Sequence, residues 1–265
     1  MTGIGSYFSL KGKVALIAGG GRGLGAAIAE VFLEAEATVV INALTDLYLS
    51  RTVDRLGLLH GGRVIGLAGD AASAEGASGI VARAMERAPS IDILVNGVGD
   101  AIHGHLVQTG DGQESSNSVA RIESTIDINL MSAIHCTRSV GAAMIQRGSG
   151  RIINIASVIG ALKGQSGFSV YSAAKAGLIG FTRSLAREWG RYSITVNAIA
   201  PGIFPDEQAI SAKQYAAIKT AYLDRIPLGR FGSGREVGCL ALYLASDAAS
   251  YVTGQVFAVD GGLSA

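Results

Sequence analysis

The 265-residue chain carries 22 basic and 21 acidic side chains for a formal charge of +1, so no charge surplus argues for nucleic acid or an anionic membrane surface as partner. Its 49% hydrophobic and 16% charged residues, with 37 glycines, describe a soluble core-forming chain whose length fits one α/β domain over 1–265. Two cysteines, Cys136 and Cys239, exclude a disulfide scaffold or a thiolate metal cage; both are expected to be buried reduced thiols. Residues 1–10 lack a basic segment followed by an apolar core, and no apolar run reaches membrane-spanning length, which gives a cytoplasmic expectation.

The first element is an apolar strand from Val14 to Ala18, followed at once by Gly19-Gly-Gly-Arg-Gly-Leu-Gly25 and then by a helix with Ala26, Ile28, Ala29, Phe32 and Leu33 on its apolar face. A glycine turn between strand and helix lets backbone approach a phosphate while the helix N-terminus adds positive partial charge. Gly19, Gly21, Arg22, Gly23, Leu24 and Gly25 are therefore candidates to hold a dinucleotide. A second strand, Thr38 to Ala43, ends about 20 residues beyond this turn, where a dinucleotide fold reads the adenine ribose. A carboxylate there would bind the 2′-hydroxyl of NAD and repel the 2′-phosphate of NADP. This chain has Asn42, Ala43 and Leu44, and Arg22 offers that phosphate a fork of donors, so NADP(H) is favoured over NAD(H). Asp46, slightly downstream, is the alternative ribose partner.

A helix over 47–59 leads to a strand over 63–67. Asp70 and Ala71 follow at a strand-to-loop junction, where a carboxylate can take the adenine amino group or cap the next helix in competition with Ser73. A helix over 74–87 precedes a strand over 91–95 and the run Asn96-Gly97-Val98-Gly99, whose glycines allow a flat backbone pass beside a cofactor. Four alternations of strand and helix without a fixed repeat predict one doubly wound parallel sheet, a Rossmann-type α/β fold. Residues 100–120 read as a surface loop containing His103, His105, Gln108 and Gln113, with no metal site expected. From 121 a long continuous helix carries Asn129 inside an apolar stripe, where the amide must order water or bond a helix carbonyl.

The strand over 151–156 delivers Ser157 to the carboxyl edge of the sheet, the edge where ligands bind in open parallel sheets. Tyr171 and Lys175 lie four positions apart at the start of an apolar-periodic helix, so both leave one face. A free phenol titrates near 10. An ammonium about 4 Å away at an effective dielectric near 20 would favour phenolate by about 4 kcal/mol, which is expected to lower the Tyr171 pKa toward general acid-base range. The strand over 193–200 ends in Pro201-Gly202-Ile203. Residues 203–230 form a helical excursion placed to act as a lid, with Tyr215, Ile218 and Tyr222 as its contacts. A helix over 235–245, a strand over 255–259 and an Asp260-Gly-Gly turn complete the chain.

These motifs, in this order from about Lys11 to the end, resemble the short-chain dehydrogenase/reductase family. The resemblance implies a seven-stranded parallel sheet with helices on both faces and commonly a homotetramer, or a homodimer, joined through the helices over 121–147 and 171–189. By the same resemblance Tyr171 is the acid-base, Lys175 lowers its pKa and binds the nicotinamide ribose, Ser157 holds the substrate oxygen, and Asn129 retains a relay water. Asn96, Gly97, Pro201, Gly202 and Ile203 join the cofactor contacts. Ala18 stands where the family usually has Thr, removing a hydrogen bond worth about 1 kcal/mol between the first turn and the fourth strand. The runs 226–232 and 251–262 look most like the branch of 3-oxoacyl-carrier-protein reductases, which implies a small-molecule carbonyl or alcohol substrate. The alternatives are an NAD-dependent dehydrogenase of a polyol, sugar acid or steroid alcohol, and a noncatalytic dinucleotide-sensing protein.

Overall fold

The computed structural model describes residues 3–107 and 118–265. Its centre is a seven-stranded sheet in the order β3-β2-β1-β4-β5-β6-β7. The strands are β1 (Val14–Ala18), β2 (Thr38–Ala43), β3 (Val64–Ala68), β4 (Ile93–Asn96), β5 (Gly150–Ile155), β6 (Ile194–Pro201) and β7 (Val256–Val259), and every pairing is parallel. Parallel neighbours need crossovers, which the helices supply on both faces, so central strands are apolar on both sides; all of β1 and all of β6 are buried.

One face is covered by α1 (Gly23–Glu34), α2 (Asp46–His60) and α9 (Gly234–Ala245), which bury Ile28, Phe32, Leu56, Val237 and Leu244 against Ala15 and Ile17 of β1. The other carries α3 (Ala74–Arg87), α5 (Ser132–Arg147) and α7 (Ser169–Trp189), whose Ile80, Val140, Met144 and Leu185 pack on Leu16, Leu94 and Ile152. The strand order reverses direction between β1 and β4, the place where open parallel sheets bind ligands at their carboxyl edge.

The long helix expected from residue 121 is present, with helical backbone on both sides of one widened turn. α4 (Val119–Ile126) starts at the Ser118 cap, whose hydroxyl accepts the Arg121 N–H, and a π turn, Asp127–Met131, separates it from α5. Its closing bond runs from the Ser132 N–H to the Asp127 carbonyl. The widened turn inserts one residue and rotates everything beyond it by about 100°, an offset that a stripe of a few apolar residues does not resolve. Cys136 is buried and burial pushes its thiol up to about 12, but Cys239 is exposed. Cys239 falls between the inward-facing Gly238 and Ala241 of α9 and points outward, which corrects the expectation of two buried thiols.

The expected excursion is present as α8 (Ala212–Tyr222), after a short helical turn α6 (Val158–Ala161) earlier in the chain. A capping box closes the start of α8: the Ser211 hydroxyl accepts the Gln214 N–H while Gln214 Oε1 accepts the Ser211 N–H. None of the residues of α8 is buried.

Candidate functional site

The glycine turn is fixed by close backbone approach. Gly19 has φ +83°, and a Cβ there would lie 2.7 Å from Gly97 C and Val98 N; a Cβ on Gly25 would run into the Gly19 carbonyl. The turn thus closes against the main chain following β4, and only glycine permits it. Gly19 and Gly20 N–H groups donate to the Asn42 carbonyl at 3.0 and 2.9 Å, and Gly97 N–H donates to the Ala18 carbonyl at 2.8 Å. Asn42 therefore supports the turn through its main chain. Its carboxamide donates to the Leu67 and Gly69 carbonyls, both at 3.0 Å, and is turned inside rather than toward a ribose. Asp46 is likewise engaged, accepting the Ser50 hydroxyl at 2.6 Å. Ser73, not Asp70, caps α3; Asp70 is exposed beside buried Ala71 and accepts the Ala72 N–H.

Arg22 stands at the outer lip of this turn. Its guanidinium lies 5.6 Å from the Tyr48 ring centroid and donates to Asp206 at 2.7 Å. A cleft of about 880 Å³ runs from Arg22 past Tyr48, Arg51 and Asp206 to Lys219, and none of Ser157, Tyr171 and Lys175 lines it. A glycine cradle at a helix N-terminus next to the strand-order switch and a guanidinium beside it match the donor set a dinucleotide's phosphates require.

The four expected catalytic residues converge at the carboxyl edge of β4 and β5. Ser157 follows β5 and its hydroxyl accepts the Ile159 N–H at 3.1 Å. It also bonds the Tyr171 phenol. Lys175, 3% exposed, donates to the Ile155 carbonyl at 2.9 Å, and its Nζ lies 5.8 Å from the Tyr171 ring centroid. Asn129, 1% exposed, sits in the π turn; its amide donates to the Asp100 and Thr125 carbonyls while its oxygen accepts the Asp100 N–H. Of the two fates expected for this amide, the bond to a helix carbonyl is present.

Gly99, expected from the sequence only to allow a flat backbone pass beside a cofactor, joins the two halves. A Cβ there would lie 2.8 Å from Asn129 Oδ1 and 2.9 Å from Lys175 Nζ, so both polar groups press on its backbone. The signal available in the sequence was its place just after β4, where Asn96-Gly97-Val98-Gly99 ends.

The titration of the pair differs from expectation. Burial raises the Tyr171 phenol above its ordinary value; the Ser157 hydrogen bond pulls it down and the Asp100 charge pushes it up, and the net direction is up. Burial also lowers Lys175 to about 8. Both groups are desolvated, and burial outweighs the cation.

A polar row crosses the sheet one layer beneath. Asn96 donates to Thr137 at 3.0 Å and to Asn154 at 2.8 Å, and Asn154 donates to Thr182 at 2.8 Å. Ala18 is the register partner of Asn96, and Asn96 Oδ1 is buried without a hydrogen-bond partner. The missing hydroxyl at position 18 thus leaves an orphaned acceptor in the core.

The mouth of the site is aromatic and polar. Phe168 meets Tyr171 edge-on at 6.0 Å and His103 at 5.2 Å, and His103 meets His105 at 5.6 Å. Arg121 holds the His103 carbonyl at 2.7 Å, and the Gly104 N–H donates to the Gly167 carbonyl. Gln108 and Gln113 lie outside the described residues. Pro201 ends β6, the Gly202 N–H donates to the Val259 carbonyl, and Ile203 packs with Val158, Ile159 and Tyr171. From α8, the Tyr222 hydroxyl accepts a hydrogen bond from Gln165, and Tyr215 meets Phe231 edge-on at 5.8 Å.

Residues 18–264 match the family model described as enoyl-(acyl carrier protein) reductase. The chain is 37% identical over 254 residues to the 3-oxoacyl-[acyl-carrier-protein] reductase FabG of Aquifex aeolicus, covering 96% of this chain and 98% of that one. Among solved structures, one like it is a putative short-chain alcohol dehydrogenase from Sinorhizobium meliloti, with TM-score 0.88 and 33% identity over 97% and 98% of the two chains. Another is a gluconate 5-dehydrogenase from Burkholderia cenocepacia in complex with NADP and tartrate, with TM-score 0.88 and 31% identity over 98% of each chain.

Proposed function

We propose that this chain, a member of the short-chain dehydrogenase/reductase family, is an NADP(H)-dependent ketoreductase of the 3-oxoacyl thioester type. That it is an oxidoreductase acting between C=O and CH–OH follows from the family and its 3-oxoacyl reductase relatives; the coenzyme's phosphate and the acyl substrate are the proposed part. The observation that carries the reading is the buried convergence of Ser157, Tyr171, Lys175 and Asn129 at one strand edge beside the glycine cradle.

When bound, the nicotinamide supplies hydride to the carbonyl carbon. Tyr171 gives its proton to the carbonyl oxygen, and Ser157 hydrogen-bonds the same oxygen as charge develops on it. Burial, which raises the phenol, keeps it protonated at neutral pH, the state an acid needs. The Lys175 ammonium offsets the phenolate left behind. Asn129 positions the Asp100 backbone and, through Gly99, the lysine; the same turn is the proposed seat of the relay water. Gly19, Gly21, Gly23, Leu24 and Gly25 hold the pyrophosphate, with Asn96 and Gly97 alongside. Asp70, Ala71 and the main chain of Asn42 and Ala43 hold the adenosine, and Pro201, Gly202 and Ile203 the nicotinamide. Arg22 takes the 2′-phosphate. The α8 segment closes over the substrate as a lid. A cytoplasmic homotetramer organised as one domain belongs to the same proposal.

A sugar-acid substrate is the second reading, supported by the Burkholderia neighbour with its bound NADP and tartrate and by the polar mouth of His103, Gln165 and Tyr222. Coenzyme oxidation followed with a 3-oxoacyl thioester and with 5-ketogluconate, each against NADPH and NADH, separates them. The expected result is the highest kcat/KM for the thioester with NADPH, by about tenfold or more over NADH. Preference for NADH overturns the coenzyme assignment, preference for the keto acid overturns the acyl one, and tight NADPH binding without turnover of either ketone favours a dinucleotide sensor.

A further inference from the structure

The Arg22–Asp206 contact joins two segments 184 residues apart. Asp206 follows β6 and begins the connection to α8, and its Oδ2 lies not only 2.7 Å from Arg22 Nη1 but also 3.2 Å from where a Gly23 Cβ would stand, at the first residue of α1. A carboxylate of the protein therefore sits against the cationic lip of the phosphate cradle. Its other oxygen, Oδ1, accepts the Gln208 N–H at 3.2 Å and fixes the local turn. Tyr48 covers another side of the guanidinium, so Arg22 has one anionic partner among the described residues and is held toward it.

We infer that Asp206 sets coenzyme specificity by competing for Arg22 with the ribose 2′-phosphate of the coenzyme. This rests on the assignment of Arg22 to that phosphate. A phosphomonoester carries about −1.5 to −2 charges at neutral pH and accepts a guanidinium bidentately, so it displaces a single carboxylate oxygen. NAD, lacking the phosphate, leaves the pair intact. The pair's strength is thus subtracted from NADP(H) affinity alone, and the chain discriminates between the coenzymes less than Arg22 would permit.

The test is binding, not turnover: dissociation constants of NADPH and NADH for the full chain by calorimetry, in wild type, Asp206→Asn, Arg22→Ala and the double variant. Asparagine keeps the Oδ1 acceptor for Gln208, so the turn persists. The expected result is NADPH bound about fivefold more tightly by Asp206→Asn, with NADH changed by less than about twofold and the NADPH gain lost in the Arg22→Ala background. Equal tightening of both coenzymes, or a gain that survives without Arg22, overturns the competition. Arg22→Ala alone tests the assignment beneath it: unchanged NADPH affinity in that single variant removes the phosphate from Arg22, whatever Asp206→Asn does.

Discussion

β5, α7 and the π turn bury the polar groups that converge on the site, whereas the connection from Pro201 to α9 keeps most of its own at the surface. Asn129 and Lys175 are 1% and 3% exposed, while α8 has no buried residue. The first region is over-determined: sheet register sets Ser157, helix packing sets Tyr171 and Lys175, and the amide and lysine fill the space that a side chain at Gly99 would occupy. Such a region can hold a lysine at about 8 and a phenol above its ordinary value, because neither group can relax into water. The second region is tied by few contacts, Gln165–Tyr222 and Tyr215–Phe231 among them, and can change sequence without disturbing the sheet. On the proposed function, chemistry belongs to the former and substrate choice to the latter.

Lys175→Met attacks the buried region hardest. It is expected to lower kcat by about a thousandfold, since the phenolate loses its counter-charge. It also changes the pH dependence of folding. Across the window from about 8 to 10.5 the unfolded chain holds a proton on Lys175 that the folded chain lacks, so wild-type stability rises with pH there and is lost as pH falls through about 8. Urea unfolding at a series of pH values should show this contribution, about 3 kcal/mol in full, in wild type and not in the variant. A wild-type curve that parallels the variant's would place the lysine in water.

Gly99→Ala puts a methyl 2.8 Å from Asn129 Oδ1 and 2.9 Å from Lys175 Nζ. The expected loss is about tenfold or more in kcat with NADPH dissociation changed by less than about threefold, because a displaced lysine misplaces the proton donor more than the phosphates. Unchanged turnover would mean that the two polar groups do not share this contact.

Tyr222→Phe removes the hydrogen bond to Gln165 and little else. Here the account expects KM for the carbonyl substrate to rise about threefold at unchanged kcat and melting temperature. A collapse of kcat would erase the division between the regions. The smallest effect is expected beneath the site. Ala18→Ser gives the orphaned Asn96 Oδ1 a donor and should raise stability by about 1 kcal/mol in denaturant titration without altering kcat.

The same division governs what could be read in the sequence. The glycine turn, the Ser157 strand end and the Tyr171/Lys175 spacing are set by short-range patterns, and each stands where its pattern put it. The consequence of Ala18 was legible only through the resemblance, which supplies the Thr usual at that position. Three features depended on the finished packing instead. The π turn at Asp127–Met131 is a phase change that a short hydrophobic stripe does not resolve. The upward shift of Tyr171 needs its desolvation, which no spacing reports. The pairing of Arg22 with Asp206 spans most of the chain and comes from a connection with weak periodicity.

In the proposed reaction one buried phenol, held by Ser157 and answered by Lys175, supplies the proton for carbonyl reduction. Parallel measurement of kcat and NADPH dissociation in Tyr171→Phe tests it most directly. The predicted result is a fall in kcat of about a thousandfold or more with coenzyme affinity within about twofold of wild type. Turnover within about tenfold of wild type would contradict it, because phenylalanine has no proton to give the carbonyl oxygen.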